Sequence, residues 1–542
     1  MKRTMLMATV ALCFGWAPLV AAAEAPTAVV KLASVNRVLK DLRFLADLVG
    51  RSEEGKQAEA LVKVMMQEKT GLGGIDVDRP MGAYSIIATE IEKSANILLV
   101  PIKDEKAFLE LLASLGQVVK KQDDGFYSIQ PDPLPVAIYF RFANGYVYAT
   151  APDKDALAKK NLIDPKKVFD ASDGSLLSAS WNLDQVPEDF KKIAIEQMEQ
   201  YVASEKGERR PGESEAEHRL RLKTIDETAR ILASVIRDGQ RVALRIDVDT
   251  AKEEMVAELS LSGKDGSDLS SSIGALGESK TRLSEIATGQ SAMTFLLHVT
   301  LPEAVRQALA PAIDEDISKT LERSKDEKKR ELGKKLFDAL APSLKAAELD
   351  LGFRVDGPTK KDQYTFLGGV KVKNGNALDA VFRELVKVLP EREQKMIHFD
   401  AVKAEGVGIH RLDAHKRFDA PTRQVLGDNP IYLALQEDVI WLSGGPDGLA
   451  RIKRALKSKP VTAPLFRFDL SIRKLVPSMN PEARKQIEAL AKRSFVASGD
   501  DLIRVEVGGG NSLKARASIK TPVVKFFAEL ANKKIDPFAG RR

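Results

Sequence analysis

The chain has 542 residues, 44% of them hydrophobic and 6% aromatic, with 83 basic and 77 acidic side chains and a net charge of +6. Charges of both signs are interspersed, which reads as a solvated surface and argues against a nucleic-acid-binding protein. Cys13 is the only cysteine, which excludes a disulfide framework and a cysteine metal site, so stability must come from burial.

The chain opens on Lys2 and Arg3, continues as a mostly apolar stretch, and reaches Ala21-Ala22-Ala23 before the polar Glu24. That order of charge, apolar core and small residues predicts a cleavable secretory signal peptide over residues 1–23, cut near Ala23. Pro18 interrupts the apolar stretch, which is short for a membrane span and has no basic flank after it. Leu12 stands before Cys13 where a lipid anchor would need a small residue. Cleavage removes Cys13 together with Lys2 and Arg3, leaving a thiol-free chain of net charge about +4. No later apolar run is long enough to span a bilayer.

From residue 24 onward one order of predicted elements recurs: strand, helix, two strands, helix. It is read at 28–116, 175–285, 290–388 and 463–532. The entry strands and helices include VVKLASVNRVLKDL, LLSASWNLDQVPEDF, TFLLHVTLPEAVRQAL and LFRFDLSIRKLVPSM. Each is followed by a hairpin that alternates apolar and polar residues, which predicts one buried face per hairpin. ILLVPIKDEKAFLELLASLG at 97–116 matches LGGVKVKNGNALDAVFRELV at 367–386. In both, a strand and a polar turn precede a helix with one apolar stripe, Ala107, Leu111, Leu112 and Leu115 against Ala377, Val381, Phe382 and Leu385. Asp104 and Asn374 stand at the N-cap positions. IYFRFANGYVYATAPD at 138–153 matches IYLALQEDVIWLSGGPD at 431–447, and LLSASWNLDQVP at 176–187 matches LFRFDLSIRKLVP at 465–477.

The sequence therefore predicts an α+β fold, internally duplicated, with antiparallel hairpins and helices packed on one face. The first half spans 24–286, with an inserted strand module at 117–170 and a charged helical arm at 188–236. The second spans 287–535, with an arm at 303–346 and a strand module at 391–460, and residues 536–542 form a tail. The linker falls near Ala287-Thr288-Gly289-Gln290.

Motifs that carry chemistry are sparse. Gly71–Gly74 and Gly508–Gly510 lack the strand-to-helix setting of a phosphate loop and read as turns. His398, His410 and His415 cluster with Asp400 and Asp413, and two histidines with a carboxylate can hold zinc, but this spacing fits no ligand pattern. His298 reads as a hydrogen-bonded strand residue and His218 as part of a charged helix. There is no Gly-x-Ser-x-Gly elbow. Trp181, Trp441 and Tyr146-Val147-Tyr148 lie in predicted strands and read as core or sheet packing, the tyrosines being the nearest approach to a carbohydrate platform. No catalytic residue, cofactor or metal is assigned.

The leader, the opening ASVNRVLKDLRFLADLVG (33–50) and the phrase DRPMGAYSI (78–86) resemble uncharacterised exported proteins of planctomycete-type bacteria, in layout over most of the chain. The resemblance implies export and brings no assigned activity and no functional residue. The expectation is an exported soluble protein, periplasmic or secreted, with a non-catalytic binding or structural role in the periplasm or cell envelope. Its partner would be an envelope protein or a small ligand, with oligomerisation through the charged arms as a further possibility. The alternative is an exported hydrolase using dispersed carboxylates or the His398/His410/His415 region.

Overall fold

Period-two alternation bounded by polar turns dictates strands throughout, and the computed structural model pairs them antiparallel, twenty in one large sheet and two in a short separate pair. It describes residues 25–67, 72–90, 94–131, 136–537 and 539. The predicted signal peptide, its expected cleavage point and Cys13 lie outside the described residues. The chain divides into two compact units. One comprises the residues up to Glu196, Val235–Ser270 and Phe527–Glu529; the other comprises Gln197–Ser234, Ser271–Phe526 and the residues from Leu530 onward.

The first unit holds β1 (Ala28–Leu32), β2 (Met81–Ile86), β3 (Ala95–Pro101), β4 (Lys120–Lys121), β5 (Tyr127–Ile129), β6 (Ile138–Ala143), β7 (Tyr146–Thr150), β8 (Leu177–Asn182), β9 (Gly239–Asp249) and β10 (Glu254–Gly263). Their order is β4-β5-β6-β7-β3-β2-β1-β8-β9-β10, every pair antiparallel. The second unit holds a short pair, β11 (Lys280–Thr281) with β19 (Val461–Thr462), and ten longer strands. These are β12 (Met293–Thr300), β13 (Glu348–Asp356), β14 (Thr365–Lys371), β15 (Ile397–Ala404), β16 (Val407–Leu412), β17 (Ile431–Leu435), β18 (Val439–Gly444), β20 (Phe466–Ser471), β21 (Leu502–Gly508) and β22 (Leu513–Lys520). Their order is β15-β16-β17-β18-β14-β13-β12-β20-β21-β22, again antiparallel throughout.

Local sequence explains the element ends. Asp104 caps the helix Glu105–Ser114 by accepting from the Ala107 N–H at 2.9 Å. Asn374 also precedes a helix, Gly375–Lys387, but in a left-handed conformation with no side-chain cap. Leu72–Gly74 form a short 3-10 turn, and Gly508–Gly510 lead into the turn between β21 and β22. The arms are helix pairs, Glu188–Glu205 with Glu215–Asp238 and Glu303–Glu322 with Glu327–Ala346. The tip of the first is tied within the second unit, where Ser214 Oγ donates to Glu315 at 2.6 Å.

Two expectations need correction. The helices do not keep to one face. In β3, Ile97 and Leu99 join a core with Tyr84, Tyr148 and Val168, while Leu98 and Val100 join another with Phe108 and Leu111. In β18, Trp441 packs with Leu283 and Ile452, while Ile440 packs with Leu378 and Val381. Cover on both sides is why Tyr146–Thr150 is buried at every position, as sheets enclosed on both faces require. That burial sets Tyr146-Val147-Tyr148 in the packed sheet, as the sequence suggests. The boundary, finally, does not fall at 286/287: Leu283 and Ile286 sit in the core of the second unit, and residues 197–234 group with that unit too.

Candidate functional site

Strands β15 and β16 carry the histidines that the sequence groups together, and the ladder separates them. His398 faces Arg411 across the pair, so its neighbour His410 projects to the opposite side. His410 is 1% exposed. Its Nε2–H donates to Asp379 Oδ1 at 2.6 Å, and its Nδ1 accepts the Asp400 backbone N–H at 3.1 Å. Nδ1 must therefore hold a lone pair and Nε2 the proton, and neither nitrogen is left for a substrate or a metal. Arg383 bridges Asp379 and Asp400 at 3.0 and 2.9 Å, and its hydrogen bond to Asp400 is the main reason that carboxyl sits below its usual range. Asp379 and Arg383 come from the helix Gly375–Lys387, and no sequence pattern ties them to His410.

His398 belongs to a second cluster, in which its Nε2 lies 3.3 Å from Asp413. Arg411 and Lys416 each donate to the same carboxylate at 2.8 Å. Burial alone would push the Asp413 carboxyl up; the bonds from Lys416, Arg411 and His398 outweigh it and hold the group at about 2. A carboxyl held below its unfolded value of about 3.9 adds stability above that pH and loses it as the pH falls toward 2. Asp413→Asn should therefore lower the melting temperature at neutral pH, and its gap to the parent chain should close in acid. A gap that stays constant with pH would remove this account. His415 Nδ1 is buried without a partner in a short turn, and no group of three or more His, Cys, Asp or Glu among the described residues is arranged to hold a metal ion.

A third histidine, His298, is the hydrogen-bonded strand residue that the sequence predicts. His298 Nδ1 accepts from Ser279 Oγ at 3.2 Å, and its Nε2 donates to the Ala463 carbonyl at 2.9 Å. This imidazole too is fully engaged. A cleft of about 280 Å³ beside the helix Gly448–Leu456, lined by Tyr432, Asp447 and Lys453 among others, contains no unpartnered buried polar group.

The strands of the second unit depart from ordinary amphipathicity. An antiparallel sheet usually buries its apolar face and solvates the other. In β12 the buried residues are Thr294, Leu296 and His298, while Phe295 and Leu297 are only half-buried. In β13, Asp350 and Arg354 are buried and Leu349 and Phe353 are exposed. This overturns the expectation that the apolar alternates of that hairpin are the covered ones.

The register assembles the uncovered residues into one surface. Phe295 stands opposite Phe353 of β13 and Phe468 of β20. Phe468 in turn faces Val505 of β21, and Val505 faces Ala517 of β22. The Phe295 and Phe353 rings stack at 5.7 Å, and Phe466 meets Phe295 edge-on at the same distance. Phe353 is 37% exposed, Leu349 43%, and Val370 and Leu442 39% each.

The first unit repeats the arrangement. Val30 faces Ala179, Ala179 faces Leu244, and Leu244 faces Leu259. Trp181 and Leu259 on this face are both 50% exposed, whereas Lys31, pointing the other way, is buried in a pair with Asp173. Contiguous exposed apolar surface backed by buried charge is the unusual observation in this molecule. Sequence alternation defines both faces; it does not say which one is covered. No helix among the described residues is long and apolar enough to cross a membrane. Comparison with family models, curated proteins and solved structures finds no match.

Proposed function

We propose that this chain is an exported, non-catalytic binding protein, built by internal duplication, that holds an apolar ligand or partner on its open sheet faces. The open faces carry the binding reading, because leaving Phe353, Trp181 and Leu259 in water forfeits about 25 cal/mol for every Å² of apolar surface. The leader at 1–23 carries the export reading. A hydrolase built on the histidines has less support, since His410 and His298 each have both ring nitrogens engaged.

Duplication is supported by two independent alignments that coincide. Gly82 pairs with Leu99 in one unit and Gly352 with Gly369 in the other, which equates Leu99 with Gly369. The match of 97–116 with 367–386 makes the same equation. One strand further, Leu99 faces Tyr148 and Gly369 faces Trp441, again the residues that the match of 138–153 with 431–447 aligns. On the other side, Gly82 faces Lys31 and Gly352 faces Leu296. Both glycines are compelled: an added Cβ would lie 2.0 Å from the Val30 carbonyl oxygen and 2.6 Å from that of Phe295, the residues just before Lys31 and Leu296.

Expression of the whole chain with its own leader tests the reading. The expected product lies in the envelope or medium and begins at Glu24. It should raise the fluorescence of an apolar dye several-fold in its native state, and Phe353→Asp should reduce that signal with the circular dichroism unchanged. A cytosolic product that keeps Met1 would overturn export, and a native protein that leaves the dye dark would overturn apolar binding.

A further inference from the structure

We infer that the partner of the open face in the second unit is a second copy of this chain, docked face to face about a twofold axis. This rests on the binding reading above. The register places three rows of residues on this face, running across β14, β13, β12, β20, β21 and β22. The middle row is Gly368, Phe353, Phe295, Phe468, Val505 and Ala517. The rows on either side run from Phe366 to Ile519 and from Val370 to Ala515, and no position in the three rows is polar or charged. Every one of these residues keeps part of its surface open.

Area and chemistry favour a second copy over other occupants. Six strands at about 4.8 Å spacing, with three same-face positions about 6.7 Å apart, make a patch of about 600 Å². That is the upper end for the surface of a monomer. Two such patches together bury about 1,200 Å², the size at which specific protein interfaces begin. The surface of an unrelated protein is only about 56–58% non-polar, so it would bring donors and acceptors that this face leaves unpaired. A second copy brings the same apolar rows and leaves none. A small apolar ligand would rest against one wall, whereas pockets enclose about 70–90% of what they hold. Two sheet faces packed at about 10 Å close a core between them instead. Phe353 and Phe466 each pack on Phe295 at 5.7 Å before any partner arrives, so docking costs these rings little freedom. The contact is isologous, and each residue of the patch enters it twice.

The test is analytical ultracentrifugation of the full secreted chain, from nanomolar to tens of micromolar concentration, with the apolar dye measured alongside. A reversible monomer–dimer equilibrium is expected. Phe353→Asp buries an unpaired charge twice in the dimer and should weaken it at least about a hundredfold, with the circular dichroism unchanged. Ala517→Glu, at an exposed position on β22, should weaken it likewise and serves if the Phe353→Asp chain fails to fold. Dye and second copy compete for the face, so the share of the dye signal that Phe353→Asp removes should fade as the parent chain is concentrated. A dimer that both folded variants leave intact, or whose formation leaves that share unchanged, would overturn the inference. So would a parent chain that stays monomeric; if it still lights the dye through Phe353, the apolar docking face stands with a small ligand as its occupant. A monomer that also leaves the dye dark would defeat both readings.

Discussion

Trp441→Ala is expected to destabilise the second unit by about 3–5 kcal/mol, the range for removing a large aromatic side chain from a packed core. Trp441 is fully buried among Leu283, Ile286, Leu296, Leu367 and Ile452, and its Nε1–H donates to Gln436 at 3.1 Å. The ring lies over Gly369 of the neighbouring strand, where an added Cβ would stand 2.7 Å from Trp441 Cζ3 and 2.8 Å from Leu283 Cδ2. Gly369→Ala alone should thus overpack the site and lose about 1–3 kcal/mol. In the Trp441→Ala background the same methyl group enters the vacated space, so the double variant should be more stable than the sum of the single effects by at least about 0.5 kcal/mol. Urea unfolding, with amide exchange in β14 and β18 to locate the effect, measures this. Strict additivity would mean that Gly369 is not there for the indole. In the first unit Tyr148, which faces Leu99 across the β3–β7 ladder, is also fully buried, with its hydroxyl donating to the Ile163 carbonyl at 2.8 Å. Burial pushes that phenol up to about 12, against the opposing hydrogen bond from Asn144, so it stays protonated across the physiological range.

The strands and their order along the chain were legible because each rests on local signals. IYFRFANGYVYAT announces its hairpin through alternation and through Asn144-Gly145, both at positive φ in the turn. What covers each face was not legible. LDLGFRVD sends Leu349, Leu351, Phe353 and Val355 one way and Asp350, Gly352 and Arg354 the other, and the natural expectation buries the first set. The second set is buried because every charge in it finds a partner. Asp350 accepts from Thr281 Oγ1 and from the Arg282 N–H, both at 2.7 Å. Asp469, on the same side, takes Arg504 at 2.8 Å and Arg467 at 2.6 Å. Thr281 stands 69 residues from Asp350, and Asp379 stands 31 from His410, so no local spacing reports either bond. The histidine cluster failed for the same reason. Nearness in sequence placed His398 beside His410, and the pleat turned them apart.

Arg354→Met should be nearly as damaging as the loss of Trp441, about 3–5 kcal/mol, because it breaks a buried ionic network from its centre. Arg354 is 4% exposed. Its Nη1 donates to the carbonyls of Glu285 and Thr288 at 2.7 and 2.5 Å, and its Nη2 donates to Asp356 at 2.7 Å. Arg451 joins Asp356 and Glu285 at 2.7 and 3.1 Å, and Arg454 reaches Glu285 at 3.3 Å. The guanidinium thereby pins the helix Ser284–Ala287, at whose end both carbonyls lie, to β13. Methionine preserves much of the stem's packing and removes every one of these donors. Arg354→Lys keeps the charge but cannot reach three acceptors in the guanidinium's fork, so it should fall between the two. A loss below about 1 kcal/mol for the methionine variant would mean that the network is not a source of stability. The variant also separates the two faces of the sheet. Arg354 projects away from its neighbour Phe353, so below its melting temperature Arg354→Met should bind the apolar dye within about threefold of the parent chain, about 0.65 kcal/mol. Phe353→Asp, one residue away, should reverse the pattern, with binding lost and most of the stability kept. That crossing of effects between adjacent residues is what a strand with a buried charged side and an open apolar side requires.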